Sequence, residues 1–117
     1  VLEDSKEATR LMFSENPPEA VFVANDHMAF AVMDTLRYEL GIKVPLDVSV
    51  VGYDDVPAAS WSSYMLTTVR QPVNHMVQKT VDTLIEKIEN PKATPKKIKI
   101  DGPLVLRNSA KIPKGYK

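Results

Sequence analysis

The 117-residue chain contains no cysteine, two histidines and four glycines. Without cysteine there is no disulfide framework and no thiolate chemistry, a composition that fits a reducing cytoplasm. His27 and His75 stand far apart and lack metal-ligand spacing, so no metal or other cofactor is expected. Glycine is too sparse around "VGYDD" to cradle a phosphate, and no serine occupies a nucleophile-elbow setting. No apolar run approaches the roughly 18 residues needed to cross a bilayer. A formal net charge of zero argues against this domain gripping a nucleic-acid backbone.

What is present is ordinary globular material, 44% hydrophobic and 26% charged, with nine prolines spread as punctuation. The zero charge hides an asymmetry. Beyond residue 91 the chain carries Lys92, Lys96, Lys97, Lys99, Arg107, Lys111, Lys114 and Lys117 against Asp101 alone, and the remainder is correspondingly acidic. These cations have no interleaved aromatics, so they read as a solubility device flanking an edge strand rather than a nucleic-acid arm. Val1 is neither an initiator methionine nor the start of a signal peptide, and the chain is expected to be a piece of a longer one.

Residues 4 to 15 predict a short helix with Ala8, Leu11 and Met12 on one face, stopped by Asn16-Pro17-Pro18. "AVFVA", residues 20 to 24, is an apolar run suited to a parallel strand covered on both faces. Asn25 or Asp26 then caps a helix to about Leu40, with Gly41 as its stop. "VSVVGY" (48 to 53) and "LTTV" (66 to 69) predict two further strands. Pro72 opens a helix to about Asn90 whose stripe is Val73, Met76, Val77, Val81, Leu84, Ile85 and Ile88. "KIKIDGPLVLRNS" predicts two short strands about Asp101-Gly102. This order is that of an α/β fold, a mostly parallel sheet with helices on both faces.

In such sheets a ligand sits outside the carboxyl ends of the strands. Asn25-Asp26 follows one predicted strand and Asp54-Asp55 the next. On an extended segment Asp54 and Asp55 point to opposite sides, so they do not form a facing acid/base pair, and no enzyme constellation stands out. An aspartate at a strand end is well suited to accept from paired hydroxyls or ring N–H groups, and an asparagine beside it both donates and accepts. Phe22 and Trp61 offer apolar cover for a sugar or base. The plainer reading has Asn25 capping its helix and Asp54 bonding loop amides. Their occurrence at one sheet edge favours a site.

"VFVANDHMAFAVMDTL", "VPLDVSVVGYDDVP" and "LTTVRQPV", in this order and spacing, resemble the C-terminal part of the LacI–GalR family of bacterial repressors, from about Pro18 to Pro113. The resemblance implies a partial lobe of the periplasmic-binding-protein type I (flavodoxin-like) core of a cytoplasmic, homodimeric transcriptional regulator. A small sugar or purine-like effector would bind between two lobes, and operator DNA would be bound only through a headpiece lying outside this chain. The resemblance places Asn25, Asp54 and Gln71 as effector contacts and Phe22 as aromatic cover. It matches Phe30 to a subunit-interface position and sets Trp61 in a stretch facing the partner subunit, where interface or core is favoured over ligand stacking. It assigns 1–69 and 97–113 to the C-terminal lobe and gives 70–91 as a helix that packs on the other lobe. That leaves its stripe bare here, so the helix is expected to fold back on its own sheet or to self-associate. Two departures stand out: the helix between Asp26 and Gly41 is one residue longer than the family pattern, near Tyr38, and Tyr64-Met65 replaces a proline often found before "LTTV". A periplasmic sugar-binding protein of a transporter is the alternative, and "LTTVRQP" favours the regulator.

Overall fold

The computed structural model describes residues 1–116. They form two compact units: residues 1–70 together with the chain from Leu104 onward, and Gln71–Pro103.

In the first unit, α1 (Leu2–Met12) forms where a helix was expected, but it buries a different face. The buried positions are Ser5 and Thr9, while Ala8, Leu11 and Met12 are exposed. Ser5 Oγ donates to Val1 O at 3.0 Å and Thr9 Oγ1 to Ser5 O at 2.7 Å, so both hydroxyls are satisfied inside the helix. Small, internally bonded side chains then let α1 lie against α2 without stranding a polar atom.

β1 (Ala20–Phe22) pairs in parallel with β2 (Ser49–Val51), Ala20 opposite Ser49 and Phe22 opposite Val51. Among the described residues β1 has a strand neighbour on one side only, and Ala20 and Phe22 are exposed. The expectation of a strand covered on both faces therefore fails. β2 continues through parallel bridges, Val51 to Thr67 and Asp54 to Arg70, toward β3 (Thr68–Val69), which pairs antiparallel with β4 (Leu104–Val105). The strand set is thus mainly parallel, as an α/β fold requires. The expected hairpin about Asp101-Gly102 does not form: Leu104–Val105 pairs with β3 instead, and the chain beyond it is bonded to Thr67 and Val50. Arg107 N donates to Thr67 Oγ1 (2.9 Å), and buried Ser109 donates to Val50 O (2.6 Å) while accepting from Thr67 N (2.8 Å).

α2 (Asp26–Asp34) starts at Asn25 and runs into a π-helical turn, Thr35–Glu39, closed by Leu40 N to Thr35 O at 3.0 Å. That turn accommodates one residue more than an α-helix would, where the excess near Tyr38 was read. Gly41, at φ +64°, ends it in a conformation that glycine adopts without strain. The core joins Val23 of β1's extension to Ala29, Phe30, Val32, Met33 and Leu36 of the helix, Val48 just before β2, Val50 of β2, and Ala59 and Leu66.

The second unit is α3 (Val73–Glu89) and the segment that follows it. No residue of α3 is buried, and its apolar stripe from Val73 to Ile88 is exposed. Ile98 and Ile100 line one side of a groove whose other wall includes Met76, Thr80 and Leu84.

Candidate functional site

Because β1 and β2 are parallel and in register, their carboxyl ends emerge side by side. Backbone bonds keep the two following loops joined: Val23 N donates to Val51 O at 2.8 Å, and Asp26 N to Tyr53 O at 3.0 Å. Asn25 and Asp54 thereby fall on neighbouring loops of one unit.

Asn25 is extended at φ −152°, and its side-chain oxygen accepts from Met28 N at 2.9 Å, which makes it the N-cap of α2. Asp54 is half-buried, and its backbone N donates to Val69 O at 2.9 Å. Its backbone is not extended, contrary to the reading of "YDD" as a continuing strand. Asp54 has φ 131° and Asp55 φ 63°, a region that non-glycine residues enter at a cost of about 1–3 kcal/mol each and hold only where the surroundings impose it.

Asp55 is bonded at both of its carboxylate oxygens. Its side chain is 7% exposed; Oδ2 accepts from Arg70 Nε and Oδ1 from Arg107 Nη1, both at 2.7 Å. Burial pushes the Asp55 carboxyl up, but hydrogen bonds from Arg107 and Arg70 outweigh it and hold the pKa below the ordinary carboxylate value.

A second carboxylate, which sequence reasoning saw only as an alternative cap, proves central to the loop. Asp26 is fully buried; Oδ1 accepts from Thr68 Oγ1 at 2.6 Å and Oδ2 from Val56 N at 2.9 Å. It thus ties the start of α2 to β3 and to the far side of the Asp54-Asp55 loop. Gly52 passes beside it: a Cβ there would lie 2.5 Å from Asp26 Oδ1 and 2.8 Å from Leu66 Cδ2. The signal available in the sequence was the "VAND" pair itself, since an aspartate just inside a helix start at a buried strand end needs donors from elsewhere.

The remaining expected residues separate. Phe22 is 65% exposed and lines an apolar cavity of about 180 Å³ with Ala8, Met12, Phe13 and Met28. Gln71 opens the second unit, where its carbonyl accepts from Val73 N at 2.8 Å. Phe30 is 8% exposed and stacks on Tyr64 with ring centroids 4.2 Å apart, so within this chain it is a core residue. Trp61 is exposed and is not part of the core. Among the described residues no group of three or more His, Asp or Glu side chains is placed to hold a metal ion. No helix of the described residues is long and apolar enough to cross a membrane.

A parallel strand pair ending in strained, carboxylate-bearing loops is the setting of a ligand-binding α/β lobe. The chain belongs to the periplasmic binding protein-like domain family, whose model matches residues 2–110. It is 36% identical over 104 residues to the HTH-type transcriptional repressor PurR of Vibrio parahaemolyticus, covering 89% of this chain and 31% of that protein. It is 38% identical over 93 residues to the ribose operon repressor of Escherichia coli K12, covering 80% and 28%. Its structure superposes on a transcriptional regulator CelR–cellobiose complex with a TM-score of 0.84 at 32% identity, covering 94% of this chain and 34% of that one. The resemblance to LacI-type regulators read from the three sequence blocks is borne out, and these relatives are repressors rather than enzymes. The chain spans about three tenths of the length of the curated relatives it matches.

Proposed function

We propose that this chain is the effector-sensing part of a LacI-type transcriptional regulator, and that Asp54 is its principal ligand contact. The observation that carries the reading is the placement of Asp54 at the carboxyl end of β2, beside Asn25 at the end of β1, on a backbone held at φ 131°. Such a carboxylate accepts from adjacent hydroxyls of a sugar or from the N–H groups of a purine-like ring. The oxygen of Asn25 accepts from Met28 N, and toward a ligand the side chain offers its amide N–H₂ and the oxygen's second lone pair. The similarity to the CelR–cellobiose complex and to the ribose operon repressor favours a small sugar.

In the whole protein the effector would shift the balance between two arrangements of the lobes, and headpieces joined through a homodimer would gain or lose operator affinity. Exposed Trp61 is available to that dimer contact, whereas Phe30, stacked inside the core, has little surface to give. The protein would act in the cytoplasm and catalyse no reaction. Reading the coding sequence upstream of Val1 separates this from a transporter's binding protein. A helix-turn-helix segment is expected there; an apolar secretion signal would overturn the regulator reading.

A further inference from the structure

The chain leaves the first unit after Arg70 and returns to it at Leu104, and Asp55 is bonded near both points. Arg70 is the last residue before the departure, and Arg107 comes shortly after the return, just beyond β4. One carboxylate receives both guanidinium groups at 2.7 Å each. Arg107 is itself held: its side chain is 13% exposed, Nη1 also donates to Leu66 O at 2.9 Å, and its backbone N donates to Thr67 Oγ1 at 2.9 Å. Arg70, 55% exposed at its side chain, is the more exposed arm. The residue immediately before the clamp is Asp54, whose own backbone is bonded to Val69, next to Arg70.

We propose that Asp55 is a positioning residue: through Arg70 and Arg107 it holds the Asp54 backbone in its strained conformation and ties that loop to both chain crossings. This deepens the effector reading and rests on it for the ligand contact made by Asp54. A carboxylate with two charge-assisted partners fixes its own Cα against two strands, and the neighbouring residue has no independent freedom to relax. Neutralising Asp55 frees the loop without removing any group that touches ligand.

The experiment uses the full-length protein carrying this chain, with amide hydrogen exchange over residues 53–56 and 29–36 and calorimetric titration with D-ribose and cellobiose. In Asp55→Asn, exchange over 53–56 rises at least tenfold while 29–36 in α2 keeps its protection, and affinity for whichever sugar binds falls at least tenfold. Asp54→Ala loses the sugar and leaves the amides of residues 54 and 56, bonded to Val69 O and Asp26 Oδ2, protected. Arg70→Gln, which removes the exposed arm alone, shifts exchange in the same direction by a smaller factor and decides the matter if Asp55→Asn does not fold. Unchanged exchange over 53–56 in the folded variants, or sugar affinity within twofold of the parent in Asp55→Asn, overturns the proposal. A parent protein that binds neither sugar counts against those effectors, and the exchange arm then decides the clamp alone.

Discussion

Asp26 shows how much of the loop geometry depends on a single buried side chain. Both its oxygens accept from groups in other segments, Thr68 Oγ1 and Val56 N. Asp26→Asn would turn one acceptor into a donor facing a donor, and we expect destabilisation of about 1–3 kcal/mol, read from denaturant unfolding. Gly52→Ala pushes a methyl against the same carboxylate and against Leu66, and overpacking of this kind costs about 1–3 kcal/mol by the same assay. Asp55 gives a pH dependence with a definite sign. Its folded-state pKa is depressed, so its stabilisation is complete above the ordinary carboxylate value of roughly 3.9 and is lost as pH falls through the lowered folded value. Unfolding midpoints measured down the acid limb should therefore drop less steeply in Asp55→Asn than in the parent. At this scale the sequence was partly legible. An asparagine after an apolar strand reads as a cap because local bonding suffices to explain it, and Asn25 is one. The partners of Asp26 lie 30 and 42 positions away in the chain and those of Asp55 15 and 52, beyond what spacing rules reach.

At the scale of elements, periodicity located the helices well and their inner faces less well. α1 was expected to bury Ala8, Leu11 and Met12, but it buries Ser5 and Thr9, because hydroxyls bonded within their own helix carry little desolvation penalty. "KIKI" has the alternation of a strand, yet pairing needs a partner, and β4 found its partner in β3. The excess residue near Tyr38 becomes a π-helical turn rather than a longer loop. Such a turn is equivalent to one inserted residue, and Tyr38 is 79% exposed. Deleting Tyr38 should therefore restore α-helical pairing across 34 to 40 and leave the fold intact, seen as retained far-ultraviolet dichroism and a cooperative melt. By contrast Leu36, fully buried two residues earlier, should cost about 2–5 kcal/mol on truncation to alanine.

For the whole molecule, the governing facts are that the chain divides into two units and that α3 in the second has no buried residue. An exposed stripe from Val73 to Ile88 is larger than an isolated soluble chain ordinarily leaves in water. The 117-residue chain on its own should associate with rising concentration in sedimentation velocity. Val77→Glu with Ile85→Glu, both exposed, should restore a monomer. The family was legible from three blocks of sequence because those blocks are the strand ends and crossings that shape the lobe: the β1 loop, the β2 loop and the departure at Arg70. The identity of the ligand was not, since a carboxylate such as Asp54 accepts equally from sugar hydroxyls and from ring N–H groups. The measurement that bears most directly on the effector role of Asp54 is calorimetric titration of the full-length protein and its Asp54→Ala variant with a panel of sugars and purine bases. The account predicts one ligand class that binds the parent and is weakened at least a hundredfold in the variant, with the melting temperature of the unliganded protein little changed. A ligand that binds both proteins with equal affinity would contradict it.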